Sequence, residues 1–376
     1  MMPASERQAK ASVTERIYRW VDSRFAVNDL VEYMSHKSVP VHGHSIFYYL
    51  GGLTLFLFMV QVGTGILLLM YYRPGSESAY ESVQFIVSQV SFGWLIRSLH
   101  SWSANLMIFV AFLHMFTVYF TQAYRKPREL TWFTGIALLG LALGFGFSGY
   151  LLPWNELSFF ATRVGTDMVR AVPIVGDYLM QVLRGGDNVT GATIGRFFGL
   201  HVAILPALFT VVLAAHLLFV QRQGMSEPIS WATMKPEEKK SIRFFPNFLY
   251  RDLLLWLIAL NVLALLAVFF PDGIGVVHWP LGQKADPFSP PPPVIRPEWY
   301  FMFAFQSLKF LPPHVFFLEG ELFGMIVFSI AGLAWMLVPL LDRNSNLNRR
   351  SPLFTWLGVG VVTFIVVMTV LGYTLK

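Results

Sequence analysis

His100 and His114 stand fourteen residues apart in one long apolar stretch of the chain, and His201 and His216 stand fifteen apart in another. In helical form, fourteen residues rise about 21 Å and return to within roughly 40° of the starting face, while fifteen rise about 22 Å with an offset of roughly 60°. Each helix then offers two imidazoles on roughly one face, one near each surface of a bilayer whose hydrocarbon core is about 30 Å thick. Ionisable side chains at membrane depth are costly and mark functional positions. Neutral imidazole is also a strong axial ligand for haem iron. If both helices run the same way, His100 faces His201 at one level and His114 faces His216 at the other, the pattern of two stacked bis-histidine haem sites. A lone intramembrane histidine is more often a satisfied core group, a reading that four at matched spacing on two parallel helices do not fit.

A buried porphyrin needs room, and glycine lets a flat ring approach a helix backbone closely. Gly51 and Gly65, and again Gly135 and Gly149, repeat the fourteen-residue spacing on two further apolar stretches, so one glycine per helix is expected at each haem level. Ordinary small-residue helix packing is the alternative. Arg97, three residues before His100, is placed to pair with a haem propionate, or else to sit solvated at the interface.

The elements that must position these residues are set by composition. The 376 residues are 55% hydrophobic and only 13% charged, against roughly 25% charged in an average soluble domain. The sequence predicts an all-α polytopic membrane protein with about seven spans: Ile46 to Tyr72, His100 to Ala123, Trp132 to Leu152, Phe197 to Val220, Leu253 to Phe270, Leu318 to Leu341 and Phe354 to Leu375. An amphipathic segment, 1–45, precedes a four-helix dihaem bundle, 46–221. A polar stretch, 222–252, with Lys235, Glu237, Glu238, Lys239 and Lys240, reads as a mobile linker to a three-helix unit, 253–376. The run Pro287 to Pro297 is too proline-rich for helix and predicts a rigid extended loop.

Most of the 28 basic residues fall in the N-terminal segment, at Arg125 to Arg128, between Arg222 and Arg251, and at Arg343 to Arg350. That side is expected to be cytoplasmic, the negative (n) side, with the N-terminus on it; Lys376 falls on the positive (p) side. The formal charge of +6 is thereby assigned to topology, and nucleic acid is not an expected partner. No signal peptide is read in Met1 to Arg24. Cysteine is absent, which excludes disulfides, cysteine-ligated iron-sulfur clusters and a CxxCH haem attachment.

With the histidine pattern, the strings Gly149 to Trp154 (GYLLPW) and Pro297, Glu298, Trp299, Tyr300 (PEWY) make the chain resemble the cytochrome b of the quinol:cytochrome c (or plastocyanin) oxidoreductases, the Rieske/cytochrome b family. The resemblance runs from about Ile17 to Leu341. It implies bifurcated quinol oxidation at a p-side site, electron transfer through two non-covalent b-type haems, and quinone reduction at an n-side site, coupled to proton translocation. It also implies a Rieske iron-sulfur protein and a c-type cytochrome as separate subunits, lipid contacts, a homodimeric complex and a bacterial cytoplasmic membrane. Glu298 would accept a proton from quinol, with Tyr300, Pro297, Trp299 and Ala161 around it; Ala161 stands where mitochondrial-type chains carry glycine. On the n side Asp252 would contact quinone, while Gln221 stands where relatives have histidine or arginine. Arg222 is a substitute candidate or merely a positive-inside charge.

Phe92 to Arg97 (FGWLIR) and Arg125 to Trp132 (RKPRELTW) are similar to the chloroplast and cyanobacterial type, here with both halves fused, whereas Asp286 to Tyr300 reads closer to the mitochondrial type. The cysteine that tethers a third haem in the chloroplast type is replaced by Tyr49, so no cysteine-linked haem is possible on this chain. A dihaem anchor of a dehydrogenase would lack PEWY, and a transporter with structural histidines would show no reducible b-type absorbance.

Overall fold

The structure, a computed structural model, describes residues 12–170 and 172–375. The first eleven residues of the N-terminal segment and Lys376 lie outside the described residues. Two surface helices come first, α1 (Val13–Phe25) and α2 (Val27–His36). A 3-10 turn, Ser45–Tyr48, then leads into α3 (Tyr49–Leu69). After α4 (Ala79–Ser88), the long helix α5 (Gly93–Phe120) carries His100 and His114, and α6 (Glu129–Tyr150) returns antiparallel to it. Next come α7 (Glu156–Arg170) and α8 (Gly176–Arg184), and then α9, a continuous helix over Gly191–Gln223 that carries His201 and His216.

The second half contains α10 (Leu249–Phe269), α11 (Trp299–Lys309), α12 (Gly320–Met336) and α13 (Pro352–Thr374). Among the described residues six helices are long and apolar enough to cross a membrane, and α12 is a shorter apolar one. The expected span Leu318 to Leu341 is thus divided: α12 ends at Met336, and a separate turn, Val338–Leu341, follows. Pro339 lacks the N–H that a continuous helix would use there. Seventeen residues rise about 26 Å, just short of a full crossing.

α3 packs along α5, α6 along α9, and α10 against both α3 and α5. The core between the two histidine levels is Leu57, Met107, Ile108, Ala142 and Phe209, closed on one side by Tyr300. The outward residues, among them Ile66, Phe109, Val211 and Leu265, are exposed, as a lipid-facing surface requires, because backbone polar groups are satisfied within each helix and apolar side chains meet the hydrocarbon.

The polar stretch 222–252 is held down. Ser241–Arg243 pairs antiparallel with Ser38–Pro40, Arg125 donates to the Glu227 carbonyl and at 3.2 Å to Ser226 Oγ, and Lys239 meets Glu227 at 2.7 Å. At the opposite end, α7 and α8 form a hairpin closed by Arg184, which is buried and bound to Asp167 at 2.8 Å.

Candidate functional site

The imidazoles of His100 and His201 face each other across the α5–α9 interface with ring centroids 6.4 Å apart. Rings at that separation are close enough for both to be ligands of one haem iron. His114 and His216 are neighbours at the other level. The fifteen-residue spacing on α9 is absorbed by a π-helical turn, Leu200–Ile204, in which Leu205 N–H reaches back to the Leu200 carbonyl. The wide turn takes up one extra residue, so fifteen residues here do the angular work of fourteen. Pro206 calls for it: a proline ring inside a helix clashes with the carbonyl four residues back.

Each of the four spaced glycines abuts one histidine. A Cβ at Gly65 would lie 3.4 Å from Cε1 of His100, one at Gly51 3.3 Å from His114, one at Gly135 3.3 Å from His216 and one at Gly149 2.7 Å from His201. The residue before three of these glycines carries a hydroxyl. Thr64 Oγ1 is 2.9 Å from His100 Nδ1, Thr134 Oγ1 is 3.0 Å from His216 Nδ1, and Ser148 Oγ is 3.1 Å from His201 Nδ1. Each hydroxyl gives its own proton to a carbonyl of its helix, Val60, Leu130 or Phe145. Its oxygen is therefore free to accept from Nδ1–H, which fixes the tautomer that points the Nε2 lone pair toward the opposing ring. His114 Nδ1 is buried without a partner. A pair of opposed, Nδ1-anchored imidazoles fits a six-coordinate haem iron. Among the described residues no group of three or more His, Cys, Asp or Glu forms a different metal cage.

Glu298 stands at the N-terminus of α11, directly after the extended proline run. Burial pushes its carboxyl up to about 7. Trp299 Nε1 donates to Asn105 Oδ1 on α5 at 2.9 Å, which ties the PEWY motif to the helix that carries His100. Tyr300 is buried, and its hydroxyl packs against Gly146 of α6, where an added Cβ would collide with it. Sequence reasoning missed both Asn105 and Gly146; neither has a spacing signal. Ala161 lies partly buried on α7. Trp154, which ends GYLLPW, is buried with φ of 51°, a left-handed conformation that a bulky residue adopts only when its surroundings enforce it. Arg97, at the His100 end of α5, donates to the Trp279 carbonyl at 2.8 Å and meets Asp272 at 3.4 Å.

At the other end, the Asp252 carboxylate reaches Gly52 of α3, beside Gly51 and His114, and its Oδ1 is buried without a partner. A cavity of about 290 Å³ opens at the same end, lined among others by Ser45, Ile46, Tyr49, Phe248 and Arg251, the residue before Asp252 in the chain. Tyr49 stacks on Phe248 with centroids 4.4 Å apart and planes at 11°. Gln221 is engaged by Lys37, whose Nζ donates to its carbonyl at 3.0 Å, while Arg222 is exposed.

Residues 34–224 match the family model for cytochrome b/b6/petB, and residues 284–376 match that for the C-terminal cytochrome b/b6/petD domain. The chain belongs to the cytochrome b/b6 family. It is 48% identical to a cytochrome bc complex cytochrome b subunit of Chlorobaculum thiosulfatiphilum over 96% of its own length and 81% of that protein's. Cytochrome b6 of Synechococcus sp. strain RCC307 is 44% identical over 57% of this chain and 97% of its own. Among solved structures, a chain of a hyperthermophilic respiratory Complex III superposes with a TM-score of 0.84 at 29% identity, covering 95% of this chain and 91% of that one. This cytochrome b is therefore an integral membrane protein, the electron-transferring core subunit of a quinol oxidoreductase, with the b6-like and petD-like parts fused in one chain. Family membership carries b-type haem.

Proposed function

We propose that this cytochrome b holds two non-covalent haems, one between His100 and His201 and one between His114 and His216, and oxidises quinol at the end that carries Glu298. The observation that carries this reading is the opposed His100/His201 pair at 6.4 Å, each ring fixed at Nδ1 by a hydroxyl and at its edge by a glycine. The two histidine levels lie about 21 Å apart along α5, and haem bound at both would supply one-electron carriers from one side of the membrane toward the other.

The chain's own residues do the proton work. Glu298, raised to about 7 by burial, sits where it accepts a proton from a quinol hydroxyl near neutral pH. Asn105 and Gly146 hold Trp299 and Tyr300 and so fix the wall of that pocket. The apolar face of Ala161 and the α7–α8 hairpin complete it. The Glu298 end is the p side and the Asp252 end the n side, because the basic connectors gather at the latter.

The n-side quinone site is the cavity lined by Tyr49, Phe248 and Arg251 together with Asp252, the next residue in the chain, whose unpaired carboxylate oxygen would share a proton with a quinone oxygen. Arg251, which lines that cavity, is a cationic candidate beside Arg222, and Gln221 is held by Lys37. Tyr49, stacked on Phe248, fills the position from which a third haem is tethered in the chloroplast type. Two electrons leave quinol by different routes: one to a Rieske iron-sulfur subunit, which must be a separate chain because this one has no cysteine, and one inward through this chain. A c-type cytochrome subunit and a second copy of the complex complete the assembly, in a bacterial cytoplasmic membrane with the N-terminus inside.

His201→Ala tests the pairing. It should abolish quinol:cytochrome c turnover and remove one of two b-type absorbance components, the one reduced through the Glu298 site. Normal turnover with both components retained would overturn it.

A further inference from the structure

The two histidine levels are built from the same parts with one difference. At the p-side level both ligands have a hydroxyl at Nδ1: Thr64 for His100 and Ser148 for His201. At the n-side level only His216 has one, from Thr134. The residue that precedes Gly51, in the register of Thr64, Thr134 and Ser148, is Leu50. Its side chain is apolar and packs into the central core. His114 Nδ1 is accordingly buried and unpartnered. Thr54 and Thr117 give their protons to the carbonyls of Leu50 and His114, at 2.9 and 2.8 Å, and neither oxygen is within hydrogen-bonding reach of His114 Nδ1.

An acceptor at Nδ1–H draws the proton outward, makes the imidazole a stronger electron donor through Nε2, and favours the oxidised iron. Second-shell hydrogen bonding is one of the levers that set haem potential. Resting on the haem assignment above, we propose that Leu50 is a positioning residue by omission: by withholding a hydroxyl from His114 it raises the electron affinity of the n-side haem relative to the p-side one. Electrons arriving from quinol are then drawn inward by a difference built into one residue of α3. The net worth of one such hydrogen bond corresponds to roughly a two- to tenfold change in an equilibrium constant, and for a one-electron couple tenfold is about 59 mV.

The test uses the intact complex carrying Leu50→Thr, Leu50→Val or Thr64→Val, with the midpoint potential of each b haem read by optical spectroelectrochemistry. Threonine and valine have the same shape, so their difference isolates the hydroxyl. Leu50→Thr should shift the n-side haem to lower potential than Leu50→Val, moving the electron equilibrium toward the p side by about two- to tenfold, with the p-side haem unchanged. Thr64→Val should raise the p-side potential alone, and this arm decides the matter if Leu50→Thr loses haem. Equal potentials in Leu50→Thr and Leu50→Val, or a p-side haem indifferent to Thr64→Val, would overturn the proposal while leaving both haems in place. A complex with fewer than two b haems before any substitution defeats the haem assignment itself, a distinguishable failure.

Discussion

A methyl group at Gly149 would sit 2.7 Å from Cε1 of His201, 3.2 Å from Nδ1 and 3.4 Å from Nε2, whereas one at Gly65 would meet His100 at 3.4 Å. The second is an ordinary contact. The first requires the His201 ring or the α6 backbone to give way by about 0.7 Å, the difference between these two distances. Metal–ligand bonds tolerate about 0.2 Å, so the displacement cannot be absorbed in the bond to iron alone. Overpacking of a well-fitted site costs on the order of 1–3 kcal/mol, and at about 1.4 kcal/mol per tenfold this is roughly a five- to 150-fold loss of haem affinity. Gly149→Ala should therefore yield complex depleted in the p-side b haem, and Gly65→Ala complex with near-normal content. Haem-to-protein ratio by pyridine haemochrome, with redox difference spectra to tell the two haems apart, gives the answer. Equal retention in both variants would refute the reasoning, because the distances would then not describe the contact that the rings make.

Other substitutions probe the quinol pocket. Glu298 is a base only as the carboxylate, so the rate of quinol oxidation should rise with pH through about 7; Glu298→Gln should flatten that limb and lower the rate by about 10²- to 10⁴-fold, as steady-state pH profiles would show. Ala161→Gly should increase the affinity of methoxyacrylate-type inhibitors by roughly five- to 150-fold with turnover nearly unchanged, whereas equal inhibition constants would remove Ala161 from the pocket wall. Asn105→Leu leaves Trp299 Nε1 unpaired at a cost of about 1–3 kcal/mol and should lower the thermal midpoint of the complex without moving either haem potential; an unaltered midpoint would mean that Trp299 finds another acceptor.

The haem frame was legible because its signals are coarse and repeated. Histidines at fourteen- and fifteen-residue spacing and glycines at fourteen need only helical geometry to be brought together. The spans could be read because lipid demands about 20 apolar residues whatever else a helix does, though Pro339 cut the sixth short. Geometry finer than one turn was not legible. The offset expected between His201 and His216 took the α9 helix as regular, and Pro206 was the overlooked sign of the π turn. The Thr-Gly, Thr-Gly and Ser-Gly pairs at 64–65, 134–135 and 148–149 stood in plain view, but their meaning required knowing which way each Nδ1 turns. The amphipathic helices α4, α7 and α8 escaped a reading tuned to spans, since their periodicity is short and interrupted. Spacing from His100 singled out Arg97, but its contacts with Asp272 and the Trp279 carbonyl come from a loop more than 170 residues away and left no local signal.

The most direct measurement is the number and attachment of haems on the purified chain. Acid-acetone extraction, haem staining of the denatured polypeptide and pyridine haemochrome analysis should together give two extractable b-type haems per chain, no stained band, and one haem fewer in His201→Ala. A single haem, a covalently stained chain, or a His201→Ala variant that keeps both would contradict the two-level bis-histidine arrangement.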